Sequence, residues 1–261
     1  MNLNLSDALK VDHLTVNYDQ ISVLWDISFT VPKGKLVAII GPNGAGKSTF
    51  LKAILGLTPS LSGQVQILGS SKKSQIKKVA YLPQRESIDW NFPITVEELV
   101  LQGRYPKLGL FKRIRKRDRE AALEALNWVD MTDYAHRQIN QLSIGQQQRI
   151  FLARALLQDA DLYFMDEPFA GVDSLTEQFI FTFLKGLKKK GKTLFVIHHD
   201  IQCIPKHFDW VMMINARLIT CGEVSTHFTQ ENLDQTFGRN TNLFEEVFNL
   251  SHKKHLGVDH S

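Results

Sequence analysis

One stretch constrains this chain more than any other: Gly41-Pro42-Asn43-Gly44-Ala45-Gly46-Lys47-Ser48-Thr49. It fits G-x-x-x-x-G-K-[ST], the pattern of a loop that wraps phosphate. Before it, Lys35-Leu36-Val37-Ala38-Ile39-Ile40 is a short apolar run with β-branched residues, which predicts a buried strand. After it, Phe50, Leu51, Ile54, Leu55 and Leu57 recur at helical spacing, with Gly56 as a stop signal. The glycines let the backbone curl so that successive N–H groups point inward at an anion. The helix start adds partial positive charge. Lys47 supplies a full charge for β- and γ-phosphates, and Ser48 a hydroxyl oxygen for Mg²⁺. The loop points to a nucleoside triphosphate without saying how its energy is used.

Composition narrows the class. The 261 residues allow one large domain or two small ones, and 43% hydrophobic content is ample for a core. No apolar run is long enough to span a bilayer. Met1-Asn2-Leu3-Asn4-Leu5-Ser6-Asp7 lacks the basic-then-apolar order of a signal peptide, so the chain is expected to remain in the cytoplasm. Cys203 and Cys221 have no C-x-x-C spacing and are expected as reduced thiols in or near the core. A net charge of +4 permits an anionic partner without requiring one.

Short alternating runs from Val11 to Val31 predict an antiparallel β-region, with Tyr18 between its strands as a core or hairpin aromatic or a base-stacking one. Ser60-Leu61-Ser62-Gly63 reads as a turn and Gln64 to Leu68 as a strand. Val79-Ala80-Tyr81-Leu82 is another strand, ending where Pro83-Gln84 would project a polar side chain. Residues 85–155 change character. A short helix is expected from Thr95 to Gln102 with Thr95 as N-cap, and an amphipathic one from Lys116 to Val129 with Ala122, Leu123, Leu126 and Val129 on one face. The basic run Lys112 to Arg117 reads as a solvated surface segment, the alternative being contact with anionic lipid or an acidic partner. This region is expected as a helical insertion into an α/β core.

Ser143 and Gly145 stand at a further helix start, either as a second anion site or as a simple cap. Leu162-Tyr163-Phe164-Met165 predicts a buried parallel strand that delivers Asp166 and Glu167 side by side at its end. Adjacent buried carboxylates are costly unless they have work to do. Asp166 fits the acid that organises Mg²⁺, and Glu167 one that polarises an attacking water. Thr193 to Ile197 is a strand closed by His198-His199-Asp200; neighbours there point to opposite faces, which leaves open which histidine reaches a phosphate. Val211 to Asn215 and Arg217 to Thr220 predict a hairpin, and Thr229 to Phe237 a helix. The polar, histidine-bearing tail through Ser261 is expected to be mobile.

In this order the pieces resemble the ATP-binding subunit of an ABC transporter over residues 10–240. Leu142-Ser143-Ile144-Gly145-Gln146 is its most diagnostic part, similar to the family's LSGGQ signature. The resemblance implies a P-loop NTPase (RecA-like) α/β core with an antiparallel β-subdomain and an inserted helical subdomain at about 85–155, within a cassette of residues 1–240 followed by a tail at 241–261. It implies ATP and Mg²⁺ as ligands. Gly41 to Thr49 is then the Walker A loop, Tyr18 the adenine-stacking aromatic, and Gln84 the glutamine that senses Mg²⁺ and the membrane partner. Asp166, together with Ser48 and Gln84, would hold Mg²⁺. Glu167 is the catalytic glutamate, Asp173 the D-loop aspartate and His199 the switch histidine. Ser143, Gly145 and Gln146 would meet the nucleotide of a second cassette. The chain departs from the pattern at Ile144, where the family has glycine, at His198, where threonine is frequent, and at Phe169-Ala170-Gly171-Val172-Asp173.

Asp89 to Val96, Gln102-Gly103-Arg104-Tyr105 and Pro168 to Asp173 resemble the branch that imports manganese, zinc or iron. That implies an ATPase on the cytoplasmic face of the membrane, paired as a homodimer or with another cassette and docked on integral permease subunits. An extracytoplasmic binding protein would select the ion, and no nucleic acid is involved. The other readings are a non-transport ABC ATPase of the cofactor-assembly or repair type, an importer of another solute, and a small-molecule phosphotransferase, against which the signature segment speaks.

Overall fold

The computed structural model describes residues 7–18, 21–71, 75–108 and 113–238, leaving the side chains of Tyr18 and Ile21 aside. The first residues, Lys112 and the tail at 241–261, on which expectations were placed, lie outside the described residues. The elements run β1 (Asp7–Tyr18), β2 (Ile21–Pro32), β3 (Leu36–Ile40), α1 (Lys47–Leu55), β4 (Ser62–Ile67), β5 (Ser70–Ser71) and β6 (Val79–Leu82). Then come α2 (Val96–Leu101), α3 (Lys116–Asn127), α4 (Ile144–Gln158), β7 (Leu162–Met165) and α5 (Ser174–Lys189). The last are β8 (Thr193–Ile197), β9 (Trp210–Asn215), β10 (Arg217–Glu223) and α6 (Gln230–Phe237). Two compact units divide the chain, one holding the described residues up to 71 and from 197 on, the other those from 75 to 196.

In the first unit β2, β1, β4 and β5 form an antiparallel sheet in that order. The short alternating runs of the sequence belong to two long strands, broken in pattern by bulges rather than by loops. His13 and Asp26 take left-handed backbone at φ 52° and 53°, and His13 Nδ1 lies 2.7 Å from Asp26 Oδ1. The register of β1 on β2 shifts between Val11 and Leu14. The expected turn at Ser60 to Gly63 needs correction: Ser62 and Gly63 already belong to β4, and the turn follows at Leu68 and Gly69, both at positive φ. Glycine is required at 63 because a Cβ would sit 2.6 Å from Leu14 Cα. Beside this sheet β9 runs parallel to β3 and antiparallel to β10, the hairpin the sequence predicts. All of β3 is buried, as its unbroken apolar run requires. α1 buries Phe50, Leu51 and Ile54, with Phe50 5.7 Å from the Phe29 ring. Leu57 lies past the helix and is exposed, because Gly56 ends it in a left-handed cap.

In the second unit β7 lies between β6 and β8, parallel to both, and Phe164 stacks on Phe195 at 5.1 Å. Thr95 caps α2, as its sequence predicts, and does so in a reciprocal box with Glu98. α2 and α4 approach closely where a Cβ at Gly103 would collide with the Arg154 carbonyl oxygen. In α3, Ala122, Ala125 and Leu126 face inward, but Leu123 is 38% exposed, which corrects the predicted face. The inward position one turn earlier is Asp118, fully buried and bound by the Arg115 amide at 2.9 Å and Arg104 Nε at 3.0 Å. Those donors, the Arg115 amide first, hold its carboxyl below the usual carboxylate range against the cost of burial. Arg113, Arg115, Lys116 and Arg117 are exposed, in line with a solvated segment. α5 answers to no expectation above. Its Phe-rich run winds as a helix because Asp173 caps its start, accepting from the Thr176 amide at 2.8 Å, and because Ile180, Phe181, Phe183, Leu184 and Leu187 share a buried side.

Candidate functional site

The phosphate loop lies in the first unit, between the buried strand β3 and α1, the arrangement its sequence predicts. A Cβ at Gly41 would collide with the Ile214 carbonyl oxygen at the end of β9. Gly46 caps α1 at φ 92°, where only glycine sits without strain. Gly44 and Asn43 are exposed, Pro42 half-buried, and Ala45 buried. The tip of the β9–β10 hairpin props the loop: the Ala216 amide donates to the Ala45 carbonyl at 3.1 Å, and the Ala216 carbonyl accepts from the Trp25 amide at 2.8 Å. Ala216, itself at φ 54°, carried no sequence signal beyond a hairpin turn.

Lys47 is buried, and its ammonium donates to the carbonyls of Gly41 at 2.8 Å and Pro42 at 2.9 Å. Ser48 and Thr49 stand half-buried in the first turn of α1. No acidic side chain of α1 occupies that turn, where the positive end of the helix lies. Loop, ammonium and helix start together form an anion cradle.

In the same unit the structure separates the two histidines. His199 is exposed at the end of β8, whereas His198 is buried. Burial pushes the His198 imidazole down to about 4, so it is neutral at physiological pH. Of the two, His199 is the one open to solvent. Tyr18 ends β1, opposite Ile21.

In the second unit β7 delivers the two carboxylates at its end, as expected. Asp166 is 1% exposed, and its amide donates to the Leu82 carbonyl of β6 at 2.9 Å. Its side chain is hydrogen-bonded by Tyr81, whose phenol is pushed up by burial first and by the Asp166 charge second. Nothing in the sequence singled out Tyr81 beyond its strand. Glu167 is half-buried and takes left-handed backbone at φ 55°. Such strain in a non-glycine residue gathers at working sites. Gln84 follows β6, half-buried, its carbonyl accepting from the Ser87 amide at 3.0 Å and Ser87 Oγ at 2.7 Å.

The signature segment also lies in this unit. Ser143 caps α4 in a reciprocal box: its Oγ accepts from the Gln146 amide at 3.3 Å, and Gln146 Oε1 accepts from the Ser143 amide at 2.9 Å. Gly145 faces the start of α5, where a Cβ would sit 2.8 Å from Thr176 Oγ1. Ile144 is 40% exposed, and a Cβ at Gly171 would touch its side chain at 3.7 Å. Two of the three departures from the family pattern, Ile144 and the segment holding Gly171, therefore meet in space. Asp173 caps α5, with the Thr176 amide as the main cause of a carboxyl held below its ordinary value.

A family model described as ABC transporter matches residues 24–170, more than half of the chain. The chain belongs to the ABC transporter family. It is an ATPase coupled to transport, and its fold is the P-loop NTPase core with antiparallel β and helical parts that the sequence predicts. This ABC ATPase is 53% identical over 247 residues to the manganese transport system ATP-binding protein MntB of Bacillus subtilis (strain 168), covering 94% of this chain and 99% of that one. It is also 53% identical over 231 residues to the zinc transport system ATP-binding protein TroB of Treponema pallidum (strain Nichols), covering 88% and 87%. Among solved structures, an inward-facing ABC transporter of the metal-chelate type superposes with a TM-score of 0.77 at 26% identity, over 88% of each chain. A dimeric bacterial ABC transporter cassette gives 0.73 at 26% identity, over 83% of this chain and 98% of that one. ABC ATPases bind ATP, which is the ligand the cradle suits. Among the described residues of this one, no helix is long and apolar enough to cross a membrane.

Proposed function

We propose that this ABC ATPase powers import of a divalent transition metal, manganese, zinc or iron, through a separate membrane permease. The observation that carries the reading is 53% identity, over 94% of the chain, to a relative named for manganese transport, with equal identity to one named for zinc. Lys47 and the N–H groups at the start of α1 hold the β- and γ-phosphates, and Tyr18 stacks on the adenine. Ser48, Gln84 and Asp166 would hold Mg²⁺; a hydroxyl, an amide oxygen and a buried carboxylate are the hard oxygen donors that ion takes. Mg²⁺ bound there would supply positive charge opposite the phosphate oxygens. Glu167 orients and deprotonates the attacking water. His199 attends the γ-phosphate.

Two copies close head to tail, so that Ser143, Gly145, Gln146 and Asp173 of one meet the nucleotide held by the other. The dimeric cassette that superposes on this chain supports that reading. Closure is favoured because ATP binds the closed state better, and the permease shifts with it. The cassette is residues 1–240, with the helical part at about 85–155 as an insertion, residues 85–105 touching a coupling helix of the permease, and 241–261 as an appended tail. The subunit works at the cytoplasmic face of the membrane, and an extracytoplasmic binding protein selects the ion.

The test is the cellular content of manganese, zinc and iron in a strain lacking this chain, complemented with wild type or with Glu167→Gln. One metal should fall and only wild type should restore it. If no metal changes, the cargo assignment is overturned, leaving an ABC ATPase for another solute or a non-transport one.

A further inference from the structure

We propose that His198, anchored by Cys203, is a positioning residue for the ATPase reaction: it fixes the backbone from which His199 projects. The inference rests on the assignment of His199 to the γ-phosphate given above. The backbone amide of His199 donates to Nδ1 of the His198 ring at 3.1 Å. A ring nitrogen that accepts carries no proton, so the neutral imidazole has its hydrogen on Nε2. That nitrogen lies 2.8 Å from Cys203 Sγ, and the thiol in turn donates to the Asp200 carbonyl at 3.2 Å. Three polar links thus close a ring through His199, His198, Cys203 and Asp200, with His199 held inside it.

The ring is fixed at its other sides. The His198 amide donates to the carbonyl of Ile39 in β3, two residues before the phosphate loop, at 3.1 Å. Its imidazole lies 5.8 Å from the Phe208 ring. The Asp200 carboxylate accepts from the Gln202 amide at 2.8 Å, which starts the turn that brings Cys203 back under the strand end. The buried imidazole stays neutral at physiological pH, so Nδ1 keeps its acceptor role there. A threonine at 198, frequent in the family, carries a single hydroxyl and no far ring nitrogen with which to reach Cys203. The departure from the family pattern therefore supplies this chain with a two-ended brace at the residue before its switch histidine.

The experiment is steady-state ATP hydrolysis by the purified full-length chain, comparing wild type with His198→Phe, His198→Asn, Cys203→Ala and His199→Ala. Losing one positioning hydrogen bond of about 1 kcal/mol should lower kcat about fivefold in His198→Phe, with KM for ATP within about twofold. His198→Asn, which keeps an acceptor near the Nδ1 position, should recover most of that loss. A residue that served packing alone would be restored better by the bulky ring than by the amide. Cys203→Ala should lower kcat in the same direction by a smaller factor, and it decides the matter if His198→Phe does not fold. Wild-type kcat in both His198→Phe and Cys203→Ala, with His199→Ala slow, would overturn the brace while sparing the role of His199. Wild-type turnover in His199→Ala would remove the role being positioned and overturn both.

Discussion

Arg85 Nη2 donates to Gln147 Oε1 at 3.1 Å, joining the segment just after Gln84 to the helix that begins at the signature serine. Gln147 is 4% exposed, and its Nε2 donates onward to the Ile139 carbonyl at 3.0 Å. The Arg85 guanidinium also lies 4.9 Å over Trp90, whose indole N–H returns to the Arg85 carbonyl at 3.0 Å and whose ring meets Phe151 of α4 edge-on. Gln84 and Ser143 thus stand at opposite ends of one braced assembly within the second unit.

Removing that brace should cost stability. Gln147→Leu leaves both the guanidinium and the Ile139 carbonyl without this partner, and a loss of about 1–3 kcal/mol is expected. Urea denaturation of the purified chain reads it. A midpoint equal to wild type would mean the bond contributes nothing net.

Lys47→Ala removes the ammonium that lies inside the phosphate loop. Charge-assisted hydrogen bonds are worth about 1.5–3 kcal/mol each, so ATP affinity should drop at least about tenfold. Titration calorimetry with MgATP checks this, and unchanged affinity would count against the loop as the triphosphate site.

Glu167 at φ 55° separates activity from stability. Glu167→Gln should lower ATP turnover by about 10²–10⁴-fold while ATP still binds, as loss of a general base implies. Glu167→Gly should be equally inactive yet more stable by on the order of 1 kcal/mol, because glycine takes left-handed backbone without the Cβ penalty. A glycine variant less stable than the glutamine one would show that the side chain, not the backbone, limits stability there.

The signature segment makes opposite predictions at neighbouring positions. Gly145→Ala places a Cβ 2.8 Å from Thr176 Oγ1, so the starts of α4 and α5 must part and ATP hydrolysis should fall severalfold. Ile144→Gly trims a partly exposed side chain beside Gly171 and should cost no more than about 1 kcal/mol, with hydrolysis kept. Paired turnover and thermal-melt measurements decide; the reverse ranking would refute the close-approach account.

His198 gives a pH dependence with a definite sign. Its folded value of about 4 lies below the ordinary histidine value of 6.5, burial outweighing the nearby Asp200, with His199 and His207 adding to the depression. Between these values the unfolded chain binds the extra proton, so stability rises with pH across that window. The contribution is complete above about 6.5, is lost as pH falls toward 4, and is on the order of 3 kcal/mol. Denaturation curves at pH 4.5 and 7 should therefore converge for His198→Asn relative to wild type.

The residues alone determined the local pieces whose cause is local. A buried apolar run, a glycine loop and a lysine fix β3, the phosphate cradle and α1 within a score of residues. Thr95 fixes a helix start, and four apolar residues before Asp166 and Glu167 fix a strand that ends in carboxylates. What the tertiary structure decided were relations between distant segments. Ala216 props the phosphate loop from a hairpin far along the chain, Tyr81 holds Asp166 from the neighbouring strand, and Gly145 owes its identity to Thr176. Alternation on a strand does not say which of the two histidines is buried; it is His198, met by Cys203, which a turn returns beneath its ring. Spacing along a sequence encodes hydrogen bonds within a helix turn or a strand; it carries no record of which carbonyl, ring or methyl another segment will bring within 4 Å.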